Sequence, residues 1–242
     1  MSSTLLNIAE KIDPQTVAIL ETVSLVATEL GMPYVVVGAT ARDLVLHYGH
    51  GARIERATRD VDFAIEVPDW KTFDALKRKL TEHGFRQTRA SHCLMSVTGI
   101  EVDVVPFGHI EDHQAAISWP PRGEITMNVL GFQEACDSAE WVRIQDKPAI
   151  DIPVANPIGL VLLKLIAWID RAADVRRKDA RDIGYLLSSY EKIPEVTGTL
   201  YEDTGIMETY DWDLTLAASL SAWSACPEPC QVKNQKPDYQ RC

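Results

Sequence analysis

The sequence predicts an α+β fold with a mixed sheet, followed by a helical C-terminal region. Short apolar runs rich in β-branched residues, at 33–37, 60–66 and 100–105, are typical of buried strands. Between them lie amphipathic stretches with helix-start residues, such as Asp69. After residue 156 the pattern is helical only. Alternating helices and strands that give way to helices indicate a sheet domain with a helical partner.

The first elements follow from capping and turn residues. Asp13 and the proline after it open a predicted helix that ends at Gly31. Residues 33–37 form the next strand, residues 38–40 turn the chain, and residues 41–46 begin a second helix. Asp69 caps a third helix, which runs to about residue 83 and stops at a glycine.

The remaining elements are predicted in the same way. Strands are expected at residues 85–89, 93–98, 100–105, 125–132, 141–144 and 149–152. Helices are expected at residues 158–171, 178–190 and 213–223. We therefore predict a sheet domain over residues 1–152, a helical domain over 153–225, and a disordered tail over 226–242, where Pro, Gln, Lys and Asn dominate.

Composition and charge limit the function. The chain has 242 residues and a formal net charge of −11. Because nonspecific binding to a polyanion comes from basic residues, this charge excludes a general nucleic-acid coat, and a polyanionic partner must meet a local basic patch. No apolar run is long enough to span a bilayer, and no leader pattern opens the chain, so we expect no membrane partner and a cytoplasmic location.

Three aspartates form the strongest chemical signal. Asp60 and Asp62 stand two residues apart in a strand-like run, so both side chains point to the same face of the sheet. Asp103 has the same alternation within the run 100–105. Mg²⁺ prefers oxygen ligands and bridges carboxylates to substrate phosphates. The three side chains are therefore predicted to be the catalytic and metal-binding residues of a phosphoryl-transfer site.

These motifs resemble those of a known superfamily. The segment 38–43, Gly-Ala-Thr-Ala-Arg-Asp, followed by Asp60, Asp62 and Asp103, resembles the nucleotidyltransferase superfold shared with DNA polymerase β. Residues 56–62, together with Lys164, the Lys-Asp pair at 178–179 and Asp182, resemble the AbiEii family of abortive-infection and toxin–antitoxin nucleotidyltransferases. The family turn usually reads Gly-Gly or Gly-Ser, whereas here alanine holds the second position.

The resemblance implies a set of site residues. A nucleoside triphosphate (NTP) would bind at the glycine turn, with Thr40 as the substitute hydroxyl and Mg²⁺ on the three aspartates. The implied nucleotide-binding residues are Gly38, Thr40, Arg42, Lys164, Lys178 and Asp182. In this interpretation Lys178 and Asp182, one helical turn apart, pair and direct the ammonium group at the site.

Structural alternatives remain open for several of these residues. Arg42 could pair with Asp43 instead of a phosphate, and Lys164 could be an edge residue that extends to water from an apolar helix. The arginines and aspartates between residues 170 and 182 are typical of a salt-bridged surface and equally suit a local patch for RNA or triphosphate.

The resemblance leaves several functions to compare. The first is nucleotide transfer from an NTP to an acceptor hydroxyl, such as a tRNA 3′ end, by a toxin with a cognate antitoxin. The second keeps this chemistry but uses a small cationic acceptor of the aminoglycoside or lincosamide type, which the acidic charge favours. The third is a catalytically silent nucleotide-binding module. A CCA-adding enzyme is a further possibility, for which the chain is short.

Overall fold

A computed structural model describes residues 5–54 and 60–226. Its centre is a mixed sheet of eight strands in the order β1-β9-β10-β2-β3-β6-β5-β4, and a separate hairpin pairs β7 with β8. The strands are β1 Leu6–Asn7, β2 Tyr34–Val37, β3 Val61–Glu66, β4 Arg86–Gln87, β5 Cys93–Met95, β6 Glu101–Phe107, β7 Ala116–Ser118, β8 Thr126–Asn128, β9 Glu140–Asp146 and β10 Ala149–Val154.

Helices surround the sheet and make up the C-terminal region. They are α1 Pro14–Glu29, α2 Gly38–Arg42, α3 Trp70–Glu82, α4 Phe132–Asp137, α5 Pro157–Asp170, α6 Arg176–Ser189, α7 Pro194–Glu202, α8 Gly205–Thr209 and α9 Leu214–Ala225. A π-helix, Asp43–Gly49, continues α2, and a 3₁₀ turn, Tyr190–Lys192, follows α6. The prediction of an α+β fold with a mixed sheet and helical C-terminal region is confirmed.

Side-chain caps fix the starts of α1, α3 and α5. Asp13 accepts hydrogen bonds from the backbone N–H groups of Gln15 and Thr16 at the start of α1. Asp69 caps α3 and Asn156 caps α5 in the same way. Each cap satisfies N–H groups that have no partner within the helix. These bonds set the points at which the chain leaves a loop and begins a helix.

The central strands are buried because their apolar residues occupy both faces of the sheet. Phe63, Ala64 and Ile65 of β3 are fully buried, and so are Val102 and Val104 of β6. Strands covered on both faces are characteristic of a sheet packed between helices. Carboxylates within these two buried strands are therefore unusual.

The helical region joins the main core through its first helices. Leu160 and Val161 of α5 and Leu186 of α6 belong to the same apolar cluster as the sheet. A second cluster in the later helices consists of Leu200, Met207, Ala217 and Ala218. Strand β10 runs to residue 154, two residues past the expected boundary. The predicted domain division remains a prediction, and the predicted tail from 227 lies outside the described residues.

Some elements differ from the sequence prediction. The helix after β2 begins at Gly38 itself and not at residue 41, because Val37 is the last extended residue and the chain enters the helix without an intervening turn. Phe132 begins α4 and does not end a strand, since β8 covers only three residues. Helices α7 and α8 and strand β1 were not predicted: Pro194, Gly198 and Gly205 interrupt the helical pattern, and β1 is too short to show an alternation.

Candidate active site

Two neighbouring strands bring the predicted aspartates together. β3 and β6 pair in parallel, and Asp62 lies in register with Asp103. Paired residues of adjacent strands point to the same face, so these two carboxylates are direct neighbours. Asp60 precedes β3 and lies close enough to raise the pKa of Asp62 by charge repulsion. The prediction that these three side chains converge is therefore supported by register and electrostatics.

Gly38 follows strand β2 and lies directly against the site. Val37 pairs with Asp62, so the next residue lies against the carboxylate. A Cβ atom at position 38 would lie 2.0 Å from Oδ2 of Asp62, and the φ angle of Gly38 is +68°. Only glycine meets both requirements, the left-handed backbone and the close approach. The glycine thus allows Asp62 to reach its position.

This contact gives a prediction for Gly38→Ala. We expect the variant to lose about 1–3 kcal/mol of unfolding free energy from backbone strain and collision, and to lose at least about tenfold in nucleotide transfer because Asp62 is displaced. Urea unfolding and transfer assays measure the two effects. Gly51→Ala is the matched control, since Gly51 has a φ of +73° but open space around its Cβ position. Equal losses of activity in both variants would contradict the assigned role.

The carboxylates line a cleft of about 650 Å³ between the sheet and the helical region. On the sheet side lie Gly38, Arg42, Asp60, Asp62 and Asp103. On the helical side lie polar groups of α5 and α6 and of the turn between them, namely Lys164, Asp170, Arg171, Lys178, Arg181 and Asp182. The volume suits a ligand of nucleotide size. Every predicted site residue except Thr40 lines this cleft.

Crowding of negative charge perturbs the central carboxylate. Burial, followed by the neighbouring charges of Asp60 and Asp103, raises the pKa of Asp62 from 3.8 to about 7, although Lys164 and Lys178 oppose the rise. Perturbed carboxylates in a cleft mark functional sites. Cys93 faces Asp103 across the β5–β6 pair, where burial and that carboxylate raise the pKa of the thiol to about 11. Its sulfur is therefore a neutral thiol at pH 7.

The cationic wall is built around a buried aspartate that the sequence did not single out as a site residue. Asp179 is fully buried and accepts hydrogen bonds from Nη1 of Arg171 at 2.8 and 2.9 Å. The Nζ atom of Lys164 lies 3.7 Å from Asp179 and donates to Asp182 at 2.6 Å. Two carboxylates therefore hold Lys164 in the cleft wall. The lysine is thus paired within the chain, and its contact with a triphosphate remains a prediction.

One predicted pair is wrong. Asp182 binds Lys164 of α5 and not Lys178 of its own helix, because the α5–α6 packing brings the two side chains together. Within the residues that the structure describes, Lys178 makes no ion pair, and it lines the cleft with an exposed side chain. It contributes a positive charge near Asp62. Lys178 is thus a cation that is accessible to a ligand.

Thr40 and Arg42 have structural contacts. The hydroxyl of Thr40 donates to the carbonyl oxygen of Asp60 at 2.9 Å, so it fixes the backbone before β3 and does not line the main cleft. Arg42 is buried, pairs with Asp43 at 2.7 Å and lies over the ring of Tyr185 at 5.2 Å. The local ion pair left open by the sequence is therefore formed. Arg42 also lines the cleft, and its role in nucleotide binding remains a prediction.

The carboxylate oxygens of Asp60, Asp62 and Asp103 are suitable ligands for a hard divalent cation. Burial and the charges of Asp60 and Asp103 raise the pKa of Asp62, and the three carboxylates together leave negative charge that a cation would relieve. Among residues 5–54 and 60–226, no three His, Cys, Asp or Glu side chains form a ready-made metal-binding group. The carboxylates would have to adjust on binding. The magnesium prediction is therefore carried forward as a proposal.

Part of the motif behind the predicted resemblance, residues 56–59, lies outside the described residues. Two further residues were not predicted as site residues. Asp179 was named only within the Lys-Asp pair at 178–179, and its burial depends on how α6 packs. Asn128 lines the cleft but has no sequence signal.

The fold and the site together define a polymerase β-like nucleotidyltransferase domain followed by a helical region. Residues 19–229 match the family described as "Nucleotidyl transferase AbiEii toxin, Type IV TA system". The chain belongs to this family of nucleotidyltransferases. No curated protein sequence matches the chain significantly.

Solved structures with distant similarity are also nucleotidyltransferases. ANT(2″)-Ia in complex with adenylyl-2″-tobramycin shares 13% identity over 86% of this chain and 99% of that chain, with a TM-score of 0.43. An antigenic nucleotidyltransferase-like protein from Paracoccidioides brasiliensis shares 17% identity over 83% and 91%, with a TM-score of 0.43. The Thermotoga maritima CCA-adding enzyme complexed with tRNA shares 13% identity over 83% of this chain and 53% of that chain, with a TM-score of 0.32. The chain thus spans about half the length of that enzyme.

No helix within residues 5–54 and 60–226 is both long and apolar enough to cross a bilayer.

Proposed function

We propose that this protein transfers a nucleotide from an NTP to a hydroxyl of an RNA acceptor, the 3′ end of a tRNA, in the manner of an AbiEii-type toxin held in check by an antitoxin. The observation that carries the proposal is the cleft in which Asp60, Asp62 and Asp103 face Lys164 and Lys178. Carboxylates on one wall suit a metal, and cations on the other suit phosphate oxygens. A triphosphate between the two walls satisfies both.

The side chains of the cleft would have separate roles in the reaction. Asp60, Asp62 and Asp103 would hold Mg²⁺, which when bound neutralises the triphosphate and makes the acceptor hydroxyl more acidic. Lys164, fixed by its two aspartates, and the accessible Lys178 would bind the phosphates. The acceptor oxygen bonds to the α-phosphorus, and pyrophosphate leaves as the bond to its bridging oxygen breaks. The hydroxyl proton passes to solvent.

A local basic surface on α6 supports an RNA acceptor. Arg177, Lys178 and Arg181 are exposed, and the last two line the cleft. The whole chain carries a net charge of −11, so a polyanion would need a local basic surface such as this one.

The proposal is tested by label transfer. Purified protein is incubated with each α-labelled NTP, total tRNA and Mg²⁺, and a parallel reaction contains EDTA. We expect label on tRNA in the magnesium reaction only, and sequencing of the products should place it at the 3′ end. Expression without an antitoxin should arrest growth. The absence of metal-dependent label on any acceptor would overturn the proposal, and NTP binding without turnover would favour the silent nucleotide-binding module.

A small cationic acceptor is the second candidate. It is favoured by Asp170 and Asp182, which add carboxylates to the helical side of the cleft, and by the acidic charge of the chain. The same assay distinguishes the two when tRNA is replaced by an aminoglycoside or a lincosamide. Label on the drug but not on tRNA, with raised drug tolerance on expression instead of growth arrest, would select this candidate.

A further inference from the structure

Trp168 is an exposed aromatic side chain beside the cleft. It lies in the last turn of α5 and is 39% exposed. Its neighbours Ala167, Asp170 and Arg171 line the cleft, and so does Lys164, one helical turn before it. A side chain four residues from Lys164 lies on the same side of the helix. No step of the proposed reaction uses this indole.

Arg176 holds the tryptophan in place. Its guanidinium lies over the Trp168 ring, 5.5 Å from the centroid. The same guanidinium donates to the carbonyl oxygens of Arg171 at 2.8 Å and Ile169 at 3.0 Å. Within the part of the chain that the structure describes, it pairs with no carboxylate and so keeps its positive charge. The pair is therefore an aromatic surface with a fixed cation, which needs little ordering when a ligand binds.

The start of α6 adds further positive charge next to this pair. Arg177, Lys178 and Arg181 are exposed and make no ion pair with any residue in 5–54 or 60–226. They outnumber Asp170 and Asp174, the exposed aspartates of the same segment. Unpaired RNA bases stack on aromatic rings and guanidinium planes, and RNA phosphates bind cations. An exposed indole among unpaired cations suits a single RNA strand.

A protein is the other kind of partner that an exposed apolar patch can bind. Ile169 and Val175 are exposed near Trp168, at 50% and 49%. The cores of protein interfaces are depleted in charged residues, whereas this patch is bordered by cations that have no carboxylate partner. The charge complementarity therefore favours a polyanion over a protein.

We propose that Trp168, held by Arg176, stacks on an unpaired base of the RNA acceptor and positions the end of the strand at the cleft. This inference rests on the proposed function, because it takes the acceptor to be RNA. Every base has a π face, so stacking tolerates any sequence. Recognition by Trp168 should therefore require an unpaired end and not a particular base.

Substitutions can separate stacking from apolar contact. Trp168→Leu keeps an apolar side chain but removes the aromatic ring, whereas Trp168→Phe keeps a smaller ring beneath Arg176. Trp223→Leu is the matched control. Trp223 is 48% exposed on α9, and no residue of this helix lines the cleft. Thermal unfolding and NTP titration of each variant should give values close to those of the native protein.

The experiment is fluorescence anisotropy with a labelled RNA hairpin that has a short unpaired 3′ end. A second hairpin has the same stem and a blunt end. For the first hairpin we expect Trp168→Leu to bind at least about fivefold more weakly than the native protein, the effect of one stacked base. Trp168→Phe should lose less, and Trp223→Leu should lose nothing. Affinity for the blunt hairpin should be the same in all variants.

An abasic series locates the stacked base. Each unpaired nucleotide is replaced in turn by an abasic one. At the stacked position the native protein should lose affinity, whereas Trp168→Leu should lose little more, because both changes remove the same contact. The native protein alone gives a result here, so the test holds even if Trp168→Leu fails to fold. Equal affinity of the native protein for every abasic hairpin would overturn the proposal.

The remaining outcomes separate this inference from the proposed function. If Trp168→Leu binds the unpaired hairpin as the native protein does, or weakens both hairpins equally, stacking by Trp168 is excluded, while label transfer to tRNA by the native protein still supports the function. If RNA binding depends on Trp168 but no label is transferred, only the function fails. If Trp168→Leu instead abolishes self-association of the native protein in sedimentation velocity and leaves RNA affinity unchanged, the patch is a protein interface and the inference is wrong.

Discussion

In the Asp62→Asn variant we expect nucleotide transfer to fall about a thousandfold or more while the folded protein becomes more stable in the absence of metal. The loss of activity follows from removal of the charge at the centre of the three aspartates, where several kcal/mol of transition-state stabilisation are expected from a bound cation. The gain in stability has a separate cause. It comes from relief of the burial and the charge repulsion that together raise the pKa of Asp62 to about 7.

The sign of the stability effect follows from proton linkage. The pKa of Asp62 rises from 3.8 in the unfolded chain to about 7 in the folded protein, so the folded protein binds an extra proton between these values. The stability associated with this group is therefore complete below pH 3.8 and is lost as the pH rises through about 7. Asparagine does not titrate, so the variant should be more stable above pH 7 by about 1–4 kcal/mol, allowing for solvent screening.

Urea unfolding in EDTA at a series of pH values measures this gain, and a label-transfer assay measures the loss of activity. Asp211→Asn, at an exposed position, is the control and should change neither quantity. Magnesium should stabilise the native protein and have little effect on Asp62→Asn. A variant that transfers nucleotide at the native rate would remove the three aspartates from the mechanism. If Asp62→Asn is no more stable than the native protein above pH 7, the unfavourable environment of the Asp62 charge is contradicted.

Sequence patterns predicted the parts of the site that depend on strand geometry. Alternation predicted that Asp62 and Asp103 could share a face, and their register in the parallel pair of β3 and β6 places them side by side, whereas Asp60 lies one residue before β3. The caps Asp13 and Asp69 were equally local, since each acts on N–H groups two or three residues away. Local rules were sufficient for these features.

The parts that were missed depend on how distant segments pack. Asp182 could pair with Lys178 by helical spacing, and only the position of α5 against α6 shows that Lys164 is its partner. Thr40 was expected to contact the ligand, but its hydroxyl reaches the carbonyl of Asp60 across the start of β3. Asn128 comes to the cleft from a hairpin whose position relative to α5 no periodicity describes. Tertiary contacts decide these roles.

The Asp179→Asn variant should show the largest loss of stability at the site. Asp179 is fully buried between Arg171 and Lys164, and its removal leaves two cations without their shared carboxylate. Breaking a buried ion pair costs about 3–5 kcal/mol, and the partial exposure of both cations reduces the expected loss to about 2–4 kcal/mol. Asparagine keeps the shape and one acceptor, so the loss measures charge and not volume.

Urea unfolding of Asp179→Asn measures this loss, and NTP titration shows its consequence. Lys164 should retain its bond to Asp182 but lose its second anion, so nucleotide affinity should fall several-fold even in molecules that remain folded. Asp174→Asn, an exposed change near the start of the same helix, is the matched control and should alter stability by less than about 0.5 kcal/mol. If both variants unfold at the same urea concentration as the native protein, Asp179 does not hold the cationic wall. The position of Lys164 must then come from Asp182 and the packing of α5 alone.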